Sequence, residues 1–459
     1  MIPPMRNRRE LLKASRSLLR WLTPGLGVKR WFILLGFGTT LVGLGIGYVL
    51  IDLYRTVPAP RIVYDITLQF LPRLARAAIV GSLGLGVIVI AIVQINRAVL
   101  APFTRPGHAI VDAVAEYRRR GKGPKVVAIG GGTGLPALLR GLKSHTSNIT
   151  AIVTIADDGG SSGQLRRSLG VLPPGDFRNC IAALADDEAL TTQLFQYRFG
   201  GSEGLAGHPL GNLFITAMAE VTGSFEKALV ESSRVLNIRG RVLPSTLQDV
   251  TLVGEVVEPA MFGNGASRVS RVEGESQVTA APGIIQRVYL QPDDAPAYPE
   301  AVKAILDADL VVAGPGSLFT SIIPNLLVRD IAEATRASRA LKIYVCNVAT
   351  QPGETDGYSV LDHIEALERH VGPGLFPAIL ANTNQSGPLP GYLQWVRLDP
   401  PVNGLRRMLA ADVSHAKYPW RHDSAKLAGV LMQLLSEYAS TGVARLRKGR
   451  GPLNHEWHE

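Results

Sequence analysis

The chain has 459 residues, 46% of them hydrophobic and only 6% aromatic, with 48 Gly and 30 Pro. That length supports a large core in two or three units, and the glycine and proline content suits the tight strand-to-helix turns of an α/β protein better than an all-β sandwich. Cys180 and Cys346 are the only cysteines and have no Cys or His at ligand spacing, which speaks against a disulfide framework or structural zinc and points to a reducing compartment.

The formal charge of +10 is unevenly placed. Residues 1–125 hold 19 Lys and Arg against 5 Asp and Glu, a balance of +14, whereas the remainder is −4. The globular part is thus slightly acidic, so nucleic acid is not an expected partner, and the positive excess reads as membrane-flanking charge.

In chain order, residues 1–30 form a basic N-terminus. Residues 31–51 and 77–96 follow as two uncharged apolar runs. Each approaches the ~20 residues that a helix needs to cross ~30 Å of hydrocarbon. A signal peptide fits the first run poorly, because the run is long and no A-x-A-like site follows it. Residues 31–97 are therefore predicted to be a transmembrane helical hairpin. Gly43 with Gly47 and Ser82 with Gly86 have the small-xxx-small spacing of packed membrane helices. The basic flanks place both ends in the cytoplasm, making the expected location the inner membrane, multi-pass, with the loop 52–76 outside.

Residues 98–123 read as a linker carrying a short basic helix. From 124 to 440 the pattern predicts a parallel sheet with helices on both faces. KVVAIGGG, ITAIVTIADD, ADLVVAGPG, LKIYVCNVA and FPAILANT are its apolar, β-branched strands. Within 248–291, DVTLVGEVVE and IIQRVYLQP predict a small antiparallel excursion around a polar, glycine-rich connection. Residues 441–459 read as a basic flexible tail.

Ligands of an open parallel sheet bind beyond the carboxyl ends of its strands, and polar, glycine-rich clusters recur at those ends. Gly130, Gly131, Gly132, Thr133 and Gly134 follow the first strand and either cradle an anion or make a tight turn. They are not a Walker A loop, and the dinucleotide fingerprint fails at Leu135, which disfavours a nicotinamide dehydrogenase. Asp157 and Asp158 end the second strand, with Ser161, Ser162 and Arg166 behind them. The paired acids suit ribose hydroxyls or Mg²⁺, against the plainer reading of a capped loop. Asp176, Arg178 and Asn179 lie on a proline-stiffened turn, whose alternative role is a structural salt bridge. His208 and Asn212 precede an apolar helix; His208 is either a ligand or acid group or a scaffold residue. Gly316, Ser317 and Thr320 follow a Gly-Pro-Gly turn that would make a second anion cradle. Asn347 and Thr350 end a later strand and could read a sugar or base edge, or merely cap a helix. A single crevice is the economical reading of these clusters.

Taken together, GGGTGLPALLRGL, ADDGGSSGQLRR, PPGDFRN, GHPLGN, LPST, GPGSLFTSIIPNLLV and NVATQPGET resemble the family uniting bacterial gluconeogenesis factors (YvcK-like) with 2-phospho-L-lactate transferases (CofD-like), over about residues 124–440. The resemblance implies a modified Rossmann-like fold and a nucleotide or UDP-sugar ligand, with UDP-N-acetylglucosamine expected. It ties the protein to carbon metabolism, cell shape and envelope synthesis. The transferase branch instead moves a phospholactyl group from a nucleotide-activated donor with Mg²⁺, but TIADDGGSSGQLRR is typical of the gluconeogenesis-factor branch. A homo-oligomer and cell-envelope synthesis proteins are the further candidate partners.

Overall fold

A computed structural model of the chain describes residues 36–47, 70–100, 123–186, 188–201, 204–258, 268–399 and 407–448. The chain divides into two compact units, Met1–Arg119 and Arg120–Glu459. The basic N-terminus 1–30, the linker helix within 101–120 and the last residues of the tail lie outside the described residues.

The first unit corrects the expected membrane hairpin. Its first apolar run is helical over the described residues 36–47. The second run lies in a helix, Arg73–Leu100, that carries Arg73 and Arg76 in its first turn and Arg97 in its last. Among the described residues no helix is long and apolar enough to cross a membrane. The paired spans, and the multi-pass inner-membrane location argued from them, therefore do not stand. An uncharged run shows only that a segment tolerates apolar surroundings; crossing a bilayer requires a helix that is both long enough and apolar enough.

The second unit is built on β1 (Val126–Gly130), α1 (Gly134–Leu142), β2 (Ile149–Val153), α2 (Gly160–Leu169), α3 (Gly175–Leu184), α4 (Glu188–Gln196), α5 (Leu210–Thr222), α6 (Phe225–Val235) and β3 (Arg241–Pro244). An excursion follows: β4 (Thr251–Glu258), β5 (Arg268–Glu273), α7 (Glu275–Ala280) and β6 (Ile284–Gln291). The chain returns through α8 (Pro299–Leu306), β7 (Leu310–Ala313), a π-helical turn (Leu318–Ile322), α9 (Ile323–Leu327), α10 (Arg329–Ala337), β8 (Leu341–Val345), α11 (Val360–Val371), β9 (Ala378–Asn382), β10 (Arg407–Ala411) and α12 (Ser424–Lys448).

Seven parallel strands form the main sheet in the order β10-β9-β8-β7-β1-β2-β3, while β5-β4-β6 make a separate antiparallel sheet. Every residue of β1, β2, β7 and β9 is buried. Successive side chains of a strand point to opposite faces, so both faces of the sheet are covered, as its β-branched runs predict. In α1, Leu135, Leu138, Leu139 and Leu142 repeat at helical spacing and form the buried face. A capping box, with Ser359 and Asp362 each accepting from the other's backbone N–H, starts α11.

The topology fixes where a site can form. From β1 the chain builds outward through β2 and β3, and from β7 it builds the other way through β8, β9 and β10. The strand order reverses between β1 and β7, so the turns leaving these two strands flank the crevice that such a reversal opens.

Beyond the strands predicted, the structure adds β3, β5 and β10. β3 and β10 are the two edges of the main sheet, and each opens on an exposed Arg, Arg241 and Arg407. β5 alternates exposed and half-buried residues and lies in what reads as a polar connection. The expected pair of antiparallel strands is thus a three-stranded sheet.

Gly141 in α1 faces the start of α12, where an added Cβ would overlap Ser424 O and come 2.7 Å from Ala428 Cβ. Gly141→Ala is expected to lower stability by about 1–3 kcal/mol through this overpacking, seen as a lower denaturant midpoint with an unchanged slope.

Candidate functional site

The turns after β1 and β7 meet. Gly134 has no room for a side chain, because a Cβ there would overlap the carbonyl of Pro315. Gly314 N–H donates to Ile129 O at 2.9 Å. Asn325, fully buried in α9, donates through Nδ2 to Gly130 O at 3.0 Å and to Ser321 O at 2.7 Å, joining the two turns from beneath.

Above this junction lies a cleft of about 760 Å³, within the usual range for a small-molecule site. Thr133, Gly134, Gly316, Ser317, Thr320, Asn347 and Thr350, all singled out from the sequence, line it. Asn347 is braced against the Gly-Pro-Gly turn: its Nδ2 donates to Gly316 O at 2.9 Å and its Oδ1 accepts from Gly316 N at 3.2 Å. Gln351 Nε2 donates to Ser317 Oγ at 2.6 Å, and Thr320 Oγ1 donates to the buried Glu354 at 3.0 Å.

The remaining sequence candidates gather beside this wall rather than in it. Gly130 and Gly131 are buried behind the turn, and a Cβ on Gly131 would overlap Asp176 Oδ2. Gly132 N–H donates to that same oxygen at 2.7 Å. Ser162 Oγ accepts from Gly175 N–H at 3.1 Å. Ser161, His208, Asn212, Arg178 and Asn179 form one hydrogen-bonded group. Arg166 stands apart: it pairs with Asp249 at 2.5 Å and donates to Val250 O at 2.8 Å, tying α2 to the segment before β4.

Asp157 and Asp158 are directed to different partners. Asp157 accepts from Gly159 N–H at 2.9 Å, whereas Asp158 Oδ1 takes both the N–H and the hydroxyl of Ser276, at 2.9 and 2.8 Å. Among the described residues no group of three or more His, Cys, Asp or Glu is arranged to hold a metal ion.

Asp158 instead clamps α7 to the end of β2, and this brings Glu275 and Thr279 of the excursion into the cleft lining. Burial, with the charges of Asp157, Asp176 and Glu354, pushes the Glu275 carboxyl up to about 9, so it holds its proton at neutral pH and shares a hydrogen bond with Asp157. Asp176 is pushed up to about 6 by burial and by Asp157, against the lowering influence of Gly132 N–H and Arg178. Burial likewise raises Glu354, opposed by its hydrogen bonds from Thr320, Phe319, Thr279 and Ser317.

The far wall was missed by sequence reasoning. Tyr392, Tyr418 and Trp420 line the cleft with His415, Arg421 and His422. His415 stacks on Tyr418 at 5.6 Å, and Tyr418 meets Trp420 edge to face at 5.6 Å. Burial pushes His422 down to about 4, leaving it neutral, and its Nε2 has no hydrogen-bond partner. The cluster His415–His422 in a chain with 6% aromatics was the available signal. For Glu275 there was none, since only the Asp158 clamp brings it there.

The family comparisons agree with this architecture. The model for 2-phospho-L-lactate transferase CofD matches residues 126–409. The gluconeogenesis factor of Bacillus subtilis (strain 168) is 44% identical over 329 residues, covering 69% of this chain and all of the relative. A provisionally named gluconeogenesis factor of Nostoc sp. is 44% identical over 432 residues, 90% of this chain and 92% of that one. The crystal structure of a UPF0052 family protein from Bacillus halodurans is 41% identical and covers 68% of this chain and 99% of its own, with a TM-score of 0.60.

Asp176 also carries a pH signature. Its folded-state value lies above the unfolded one, so the folded state binds the extra proton between pH ~4 and ~6 and stability falls as pH rises through that window. Asp176→Asn is expected to remove up to about 3 kcal/mol of that fall, measured as flatter unfolding free energies across the window. With its motifs, fold and matched relatives in agreement, the chain belongs to the CofD-type 2-phospho-L-lactate transferase family, on the branch of the gluconeogenesis factors.

Proposed function

We propose that residues 124–440 form a nucleotide-sugar-binding domain whose cleft takes a UDP-sugar, with UDP-N-acetylglucosamine the expected ligand, and that the protein acts as a gluconeogenesis factor linking carbon metabolism to cell shape and envelope synthesis. The observation that carries this reading is the convergence of two glycine-rich turns at the strand-order reversal, opposite an aromatic wall. Gly134 and Gly316 bring main chain to the cleft wall, which suits a diphosphate, a group commonly held by glycine-rich turns. Tyr418 and Trp420 offer apolar faces of the kind on which a base stacks. Asn347, Thr350 and the protonated Glu275 offer donors and acceptors to sugar hydroxyls.

The alternative is a transferase of a phosphate-linked group that needs Mg²⁺. It is the weaker reading, because the two acids nominated for the metal are committed to Gly159 and Ser276.

Isothermal titration of the full chain with UDP-N-acetylglucosamine is expected to give saturable heat. Ser317→Ala and Asn347→Ala should each weaken binding at least ~10-fold, about 1.4 kcal/mol. No saturable heat at millimolar ligand would reject the assignment.

A further inference from the structure

Beside the cleft, four side chains form a hydrogen-bonded line. Arg178 Nη1 donates to Asn212 Oδ1 at 2.8 Å, Asn212 Nδ2 donates to Ser161 Oγ at 3.0 Å, and Ser161 Oγ lies 2.7 Å from His208 Nδ1. The direction of the line follows from chemistry. A guanidinium has donors only, so it fixes the Asn212 amide with its oxygen toward Arg178 and its NH₂ toward Ser161. Ser161 Oγ therefore accepts from Asn212, and with the imidazole in its Nε2-protonated tautomer the hydroxyl proton goes to His208 Nδ1, its one acceptor among the described residues. In that tautomer the ring proton sits on Nε2, which has no partner among the described residues.

Serine with an imidazole acceptor, held in place by a third group, is the arrangement that activates a hydroxyl as a nucleophile. Asn212 is 1% exposed, so the brace is rigid, while Ser161 and His208 are half-buried and reachable. Two cations stand beside the line: Arg178 and Arg198 lie close enough to repel, Asp176 and Asp157 offset only part of that repulsion, and among the described residues neither Arg forms an ion pair with a carboxylate. The first turn of α2, to which Ser161 belongs, has no side-chain cap on its amides. Ser162, the residue after Ser161, and Asp157 both lie against Gly175, where an added Cβ would come 2.5 Å from Ser162 Oγ and 2.9 Å from Asp157 Oδ2, and Asp157 in turn bonds Glu275 of the cleft lining.

We propose that Ser161 is a nucleophile activated by His208, taking a phosphoryl group from a phosphoric anhydride. In this step Ser161 Oγ bonds to phosphorus and its proton passes to His208 Nδ1. The bond from phosphorus to the bridging oxygen breaks, and the leaving phosphate departs with that electron pair. Phosphoserine is the product, and Arg178 and Arg198 neutralise charge on the non-bridging oxygens. The choice of an anhydride donor rests on the diphosphate reading of the adjoining cleft; the activation of Ser161 does not.

A fluorophosphonate tests this on the full chain, since attack by Ser161 expels fluoride in the same proton transfer. Mass spectrometry of digested protein is expected to find one adduct, on Ser161. His208→Ala should slow labelling at least ~100-fold, with partial rescue by added imidazole, while Ser168→Ala, on the exposed side of α2, should label as wild type does. If the four side chains merely brace α2 against α5, the wild-type hydroxyl is inert. No adduct on Ser161 in wild-type protein, or a His208→Ala rate equal to wild type, overturns the proposal. Titration of the same samples with UDP-N-acetylglucosamine separates the two readings: binding without labelling defeats this one alone, and labelling without binding upholds it and defeats the ligand assignment alone.

Discussion

Two loops that leave adjacent strands share a space too small for a side chain. Gly134 sits against the carbonyl of Pro315, Gly314 N–H reaches back to Ile129 O, and Asn325 holds Gly130 O and Ser321 O together. Everything in the cleft is referenced to this junction. Asn347 is fixed by its two hydrogen bonds to Gly316, and Gln351 by Ser317, so the wall formed after β8 takes its position from the turn after β7. A backbone in contact with another backbone cannot shift without breaking strand pairing on both sides, which makes the junction a rigid reference.

The charge arrangement around this junction is asymmetric. One side gathers Asp157, Asp176, Glu275 and Glu354: Asp157 raises Asp176, all three neighbours raise Glu275, and burial makes the ionised forms of Asp176, Glu275 and Glu354 expensive. The molecule meets that cost partly by protonation at Glu275 and partly by the hydrogen bonds that Glu354 and Asp176 accept. The other side holds Arg178 and Arg198, whose mutual repulsion is only partly offset by Asp176 and Asp157.

The antiparallel excursion contributes to the site, although in sequence it looks like an ornament. Gly274 packs so closely over Asp158 that no side chain fits, and Ser276 closes the clamp with two hydrogen bonds. The short helix Glu275–Ala280 therefore faces the cleft, and Thr279 bonds to Glu354 across it at 3.4 Å. A separate sheet thus completes a pocket that the main sheet opens.

The amino-acid sequence by itself determined the central strands and the turns that follow them, because apolar β-branched runs and glycine clusters act through neighbours a few residues apart. It also marked Gly134, Ser317, Asn347 and Thr350, which line the cleft. It was silent on the edge strands β3 and β10, each of which opens on an exposed Arg, and it read the N-terminal apolar segments as membrane spans, whereas among the described residues no helix is long and apolar enough to cross a bilayer. Only the tertiary structure decided that Glu275 and the Tyr418–Trp420 wall face the same space, and that Arg166 turns away to Asp249. The physical reason is that a residue's local conformation is set by its neighbours along the chain, whereas its partner across a cleft is set by strand order and by clamps between segments remote in sequence.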